Sequence, residues 1–168
     1  MGTTILVAYA TKYGSTKEVA EAIAATLREQ GLDTEVRPAR EVDALDGYSA
    51  VVLGAALYMG KWHRDARAFL RRHHKTLLSL PVAIFTLGPL GAAEKDRQSS
   101  RAQLDRALKT FYWLTPISVE VFGGVIDPAK LRFPFTHMLK GDARDWVAIR
   151  AWAALLVSAF RPAGQLVC

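Results

Sequence analysis

Short β-branched apolar runs alternate five times along this chain with longer stretches in which apolar residues return every three to four positions. The short runs predict strands at Thr4 to Tyr9, Thr34 to Arg37, Ala50 to Leu53, Val82 to Leu87 and Ile117 to Phe122. Within them, the segments ILVAY, AVVL and VAIFTL are apolar at successive positions. Both faces of those strands must therefore be covered, as in a parallel sheet clothed by helices. The longer stretches predict helices at Thr16 to Gln30, Asp65 to Leu78, Asp96 to Phe111 and Asp145 to Phe160. The first carries Val19, Ala20, Ile23, Ala24 and Leu27 on one face and stops at Gly31, and the last is ended by Pro162. Glu41 to Leu45 leave room for one short helical turn. The pattern predicts an α/β three-layer fold, a five-stranded parallel sheet with helices on both faces.

No repeat or linker interrupts the pattern, and 168 residues suit a single domain over 1–168 that buries its own core. The one long irregular stretch is Gly123 to Gly141; loops of that length are usually functional or mobile. A formal charge of +6 favours anionic partners. Its Lys and Arg are scattered, and no stripe interleaves them with aromatics, so no nucleic-acid partner is expected. Cys168 is the only cysteine. It permits no internal disulfide and points to a reducing compartment, with no further role assigned. The first apolar run starts without a basic leader, and Ala151 to Phe160 is about half of a ~20-residue span. A cytoplasmic protein is expected, with peripheral membrane contact left open and the oligomeric state undetermined.

Ligands of open α/β sheets sit beyond the carboxyl ends of the strands, where the strand order reverses. Three loops lie there. The first, Ala10 to Thr16, combines the hydroxyls of Thr11, Ser15 and Thr16 with Gly14 and the unpaired N–H groups of a helix start. It lacks the Gly-Lys-Ser/Thr of a triphosphate loop and two of the glycines of a dinucleotide fingerprint, and so suits a terminal monophosphate. An ordinary capped turn is the alternative. The second, Gly54 to His63, places Tyr58, Met59 and Trp62 at the sheet's edge, where a flat apolar ligand would cover them. The alternative is that Tyr58 and Trp62 cover the following helix. The third, Thr86 to Ala93, is small and suited to presenting backbone N–H groups to a polar ring edge.

T-x-Y-G-S-T after the first strand, followed by G-A-x-L-Y-M-G-K-W-H after the third, resembles the flavodoxin superfamily. In particular, it is similar to flavodoxin-domain proteins related to quinone-dependent protoporphyrinogen oxidase. The resemblance runs from Thr4 to about Phe160, through G-G-x-I-D-P at Gly123 to Pro128 and D-W-x-A-I-R-A-W-A at Asp145 to Ala153. It implies the strand order 2-1-3-4-5 and FMN as cofactor. It makes Thr11, Lys12, Tyr13, Gly14, Ser15 and Thr16 the phosphate site. Ala56, Leu57, Tyr58, Gly60, Lys61 and Trp62 would form the second wall, with Tyr58 and Trp62 flanking the isoalloxazine ring, and Gly88, Pro89, Leu90 and Gly91 would close over the ring's polar edge. The chain departs from the oxidase pattern between the last strand and last helix. Such oxidases carry a longer aromatic and basic insertion there, whereas this chain has only Ala129 to Ala143.

These features lead to an FMN-dependent oxidoreductase that takes electrons from a small-molecule redox substrate and passes them to a quinone or other acceptor. No catalytic residue is assigned. A flavodoxin-type electron carrier with a redox protein partner is the alternative, although such carriers resemble acidic proteins and this chain is basic. A cofactor-free interaction module on the same fold is a third reading. A phosphoacceptor receiver is not expected, because Leu53-Gly54-Ala55 offers no aspartate and no acidic pair follows the first strand.

No metal site is expected. His73 and His74 point about 100° apart on a helix and are read as surface residues. His63 ends the second loop and is a candidate proton donor, with helix entry and solvent exposure as the alternative. Trp146 and Trp152 fall on different faces of the last helix, one in the core and the other at an interface or groove. Leu131, Phe133, Phe135, Met138 and Leu139 are too apolar for a bare loop; docking on the domain, on a second subunit, or on a lipid or quinone surface stays open, and the segment is expected to gate a substrate or partner surface away from the phosphate crevice.

Overall fold

The structure, a computed structural model, describes residues 4–58, 60–88, 94–126 and 141–161. β1 (Thr4–Ala10) lies between β2 (Thr34–Pro38) and β3 (Tyr48–Tyr58). β5 (Val82–Leu87) pairs with the far side of β3, and β6 (Ser118–Phe122) completes the order β2-β1-β3-β5-β6. Counting only these parallel strands, the order is the expected 2-1-3-4-5. Val7 stands opposite both Val36 and Val52, and Ile84 opposite both Leu53 and Val119. Neighbouring crossovers diverge between β1 and β3, which opens the crevice where their loops meet.

The successive apolar residues of these strands fill two cores. Ile5, Val7 and Tyr9 of β1 face α1 (Ser15–Glu29) and α5 (Trp146–Phe160). Leu6, Ala8 and Ala10 face α2 (Arg64–Arg72), α3 (His74–Leu77) and α4 (Glu94–Leu108). Complete burial of Phe69 and Phe85 stabilises the fold by roughly 1.5–3 kcal/mol each. Trp152 packs edge-on to Phe85 and Phe122, and its indole N–H donates to Ser118 Oγ at 2.8 Å. Trp152 is thus the core member of the pair, while Trp146 is half-buried beneath the Arg144 guanidinium.

Four local expectations change. β3 does not end at Leu53 but continues to Tyr58 and turns back through Gly60 into β4 (Lys61–Trp62), so the second loop is largely a hairpin. Gly54 makes this possible, because a Cβ there would fall inside the Phe85 ring. The helical turn between β2 and β3 forms at Ala39–Glu41 rather than Glu41 to Leu45. The predicted helix from Asp65 to Leu78 breaks at His73, which is 6% exposed and not a surface residue. The His73 ring reaches the Val42 carbonyl at 2.9 Å, and Arg72 donates to the Ala39 and Val42 carbonyls, satisfying acceptors of the β2–β3 connection. His74 stacks on Trp113 with 4.0 Å between ring centroids.

The segment after β6 starts and finishes in a short antiparallel pair, β7 (Val125–Ile126) and β8 (Gly141–Asp142). Its two ends therefore meet. Leu131, Phe133, Phe135, Met138, Leu139, Pro162 and Cys168 lie outside the described residues.

Candidate functional site

At the carboxyl end of β1 the chain turns through Gly14, whose φ of 93° is left-handed and favours glycine. Gly14 N–H donates to Thr11 Oγ1 at 2.9 Å, so Thr11 shapes the turn from within. No described side chain caps α1. The first N–H groups of α1 have no acceptor within the helix and carry its positive dipole end. Thr16 is 0% exposed, and its Oγ1 has no hydrogen-bond partner among the described residues. An unpaired buried hydroxyl costs about 1–3 kcal/mol, and a phosphate oxygen at the helix start would accept from it. Gly14, Ser15 and Thr16 thus fit a phosphate group.

The hairpin forms the second wall. Tyr58 is 45% exposed at its tip, and Lys61 beside it is exposed. Lys12 Nζ lies 5.2 Å from the Tyr13 ring centroid and 5.1 Å from that of Tyr58. One ammonium group therefore joins the two loops across the crevice. Ala56 and Leu57 are half-buried and pack on opposite cores. Trp62 departs from the ring-flanking expectation. It is 1% exposed, packed in the core with α2, and its indole N–H donates to the Ala55 carbonyl at 3.2 Å. Alternation along the two-residue β4 turns Lys61 outward and Trp62 inward, leaving Tyr58 as the exposed aromatic of the hairpin.

Gly88 continues β5 toward β6 by donating to the Phe122 carbonyl at 2.9 Å. A Cβ on Gly88 would come within 2.6 Å of Ser100 Oγ, and one on Gly124 within 2.6 Å of the Gly88 carbonyl oxygen. Both glycines are close-approach positions. Pro89, Leu90 and Gly91, expected to continue this wall, lie outside the described residues, as does Met59.

His63 caps α2, with Nδ1 accepting from Asp65 N–H at 3.0 Å, which places the proton of the neutral ring on Nε2. Burial, only partly opposed by Asp65, lowers its pKa below the ordinary value. The structure thus gives His63 the helix-entry role. Arg144 belongs to the site, although the sequence reading passed over it. It follows β8 and reaches back to the first turn of α1, donating to the Ser15 carbonyl at 3.4 Å. The spacing Asp142-x-Arg144 was the only local signal.

Among the described residues there is no group of three or more His, Cys, Asp or Glu side chains able to hold a metal. No described helix is long and apolar enough to cross a membrane.

At the sequence level the chain is similar to the protoporphyrinogen IX dehydrogenase [quinone] of Escherichia coli (strain K12), 25% identical over 138 residues that cover 80% of this chain and 76% of that protein. The Leishmania major protein of the same name is 29% identical over 173 residues, covering 89% and 72% of the respective chains. A short-chain flavodoxin associated with a non-canonical PDU bacterial microcompartment superposes with a TM-score of 0.62 at 19% identity, over 96% of this chain and all of that one. A flavodoxin from the domain Archaea gives 0.61 at 14% identity, covering 94% and 98%. These two likenesses establish the fold alone. The flavodoxin-domain family model matches residues 6–141, most of the chain, and this protein belongs to the flavodoxin-domain family.

Proposed function

We propose that this protein is a single-domain, FMN-binding oxidoreductase that accepts electrons from a small organic substrate and delivers them to a quinone. The observation that carries the cofactor is the buried Thr16 hydroxyl, without a hydrogen-bond partner among the described residues, beside a start of α1 that no described side chain caps. With Thr11 shaping the turn, Ser15 and Thr16 would hold the terminal phosphate. Lys12, Tyr13, Ala56, Leu57, Tyr58, Gly60 and Lys61 would border the ring, and the segment Gly88, Pro89, Leu90 and Gly91 its polar edge. When bound, FMN supplies the two-electron chemistry, and the chain's own residues bind, orient and tune it.

The cations Lys12 and Lys61, both exposed at the crevice rim, favour the oxidoreductase over an acidic-rimmed carrier, since they stabilise negative charge arriving on a reduced ring. The names of the two sequence relatives support a quinone acceptor. A porphyrinogen donor has the same support, and the 129–143 segment is where this chain departs from the pattern of such oxidases. A cytoplasmic setting with reversible contact to a quinone-bearing membrane fits the absence of a spanning helix among the described residues.

Titration of the apoprotein with FMN, FAD and riboflavin tests the cofactor. Expected are a yellow 1:1 FMN complex, much weaker riboflavin binding and no advantage for FAD. Equal affinity for FMN and riboflavin would refute the phosphate site. Anaerobic stopped-flow reduction by protoporphyrinogen IX, set against reduction by a ferredoxin reductase, separates enzyme from carrier.

A further inference from the structure

Arg144 stands between β8 and α5, yet its side chain is only 9% exposed. Its guanidinium grips Asp142 with two prongs, Nη2 to Oδ2 at 2.7 Å and Nε to Oδ1 at 3.0 Å. Nη1 lies 3.3 Å from Glu18 Oε2 and donates to the Ser15 carbonyl at 3.4 Å. The guanidinium carbon sits 4.8 Å from the centre of the Trp146 ring. One withdrawn cation thus joins β8, the first turn of α1 and the start of α5.

Two consequences meet at the phosphate loop. Glu18, in the first turn of α1, favours the helix dipole but opposes any anion placed at the helix start. Arg144, shared with Asp142, offsets part of that charge at ion-pair distance from a carboxylate that is itself exposed to solvent. Its bond to the Ser15 carbonyl also fixes the peptide group that leads into the Thr16 N–H. Lysine would keep the charge without the planar fork that holds Asp142 and reaches Glu18 together.

We propose that Arg144 is a positioning and specificity residue of the phosphate site: by partly offsetting the Glu18 charge and holding the Ser15 carbonyl, it makes the α1 start selective for a flavin bearing a phosphate monoester over the dephosphorylated flavin. The inference rests on the FMN reading above. The discriminating readout is the ratio of FMN to riboflavin affinity, because a purely structural loss weakens both ligands alike.

Dissociation constants for the two flavins, measured by fluorescence titration of the full-length apoprotein, provide the test. Arg144→Gln should weaken FMN by about tenfold or more while moving riboflavin less than about threefold, and Arg144→Lys should fall between. Glu18→Gln in the Arg144→Gln background should recover about threefold or more of the FMN loss, since the uncompensated carboxylate has gone. Glu18→Gln alone, at an exposed side chain, should raise FMN affinity by about threefold and leave riboflavin unchanged, an arm that holds even if Arg144→Gln does not fold. A parallel loss for both flavins in Arg144→Gln, or an unaltered FMN to riboflavin ratio in Glu18→Gln, overturns the proposal. Wild-type protein that does not prefer FMN overturns the phosphate-site reading and the proposal with it; a normal wild-type preference that Arg144 does not affect removes the proposal alone.

Discussion

Replacing Thr16 with valine should strengthen the unliganded protein and weaken its hold on FMN. The substitution keeps the branched shape and exchanges a hydroxyl for a methyl group at a position with 0% exposure, where Oγ1 has no partner among the described residues. A buried polar group without a hydrogen bond costs about 1–3 kcal/mol, so relieving it should return about 1 kcal/mol. For a domain of this size that raises Tm by about 2–4 °C. With FMN bound the same hydroxyl would donate to a charged phosphate oxygen, an interaction of roughly 1.5–3 kcal/mol. Its loss corresponds to between about tenfold and about a hundredfold in Kd. Calorimetric melting of the FMN-free variant and fluorescence titration with FMN give the two numbers separately. Lower apoprotein stability with intact FMN affinity would mean that the hydroxyl serves the fold and that the phosphate binds elsewhere.

Gly54→Ala should destabilise the protein by about 1–3 kcal/mol or more, because the new Cβ would enter the Phe85 ring and part β3 from β5; an unchanged urea midpoint would contradict the packing. Burial lowers the pKa values of His63 and His73 from the ordinary 6.5, so the unfolded chain binds more protons just below that pH. Stability should therefore be full above about pH 6.5 and fall as the pH drops toward the lowered folded values, and His63→Asn, which keeps a capping acceptor, should flatten the fall seen in urea midpoints. Lys12→Glu or Lys61→Glu should lower the reduction potential of bound FMN in a spectroelectrochemical titration, by about 1 kcal/mol per charge at ~4 Å in water and more where solvent is excluded; a raised potential would refute the positive rim.

The central strands were legible because Ile5 to Ala8 and Val82 to Leu87 are apolar at successive positions, a pattern that only a sheet covered on both faces tolerates. The turn leading into α1 was legible for a similar reason, since hydroxyls, a glycine and a helix start occupy adjacent positions. What was missed depends on partners distant in the chain. Gly54-Ala55-Ala56 has little strand character of its own, and it extends β3 because Ala55 pairs with Ala10 on one side and Thr86 on the other. Trp62 looked exposed because it follows a turn, yet β4 folds it under the hairpin onto α2. His73 finds its carbonyl 31 residues earlier and Arg144 its carbonyl 129 residues earlier, separations that no local pattern conveys.

The pairing of β7 with β8 has an evolutionary consequence. Val125 meets Asp142 and Ile126 meets Gly141, so the two ends of the connection between β6 and α5 are held side by side. Lengthening a loop whose ends are already clasped costs only about 0.6 kcal/mol per doubling. Descendants of such a domain can therefore lengthen or shorten this connection without disturbing the parallel sheet that it follows.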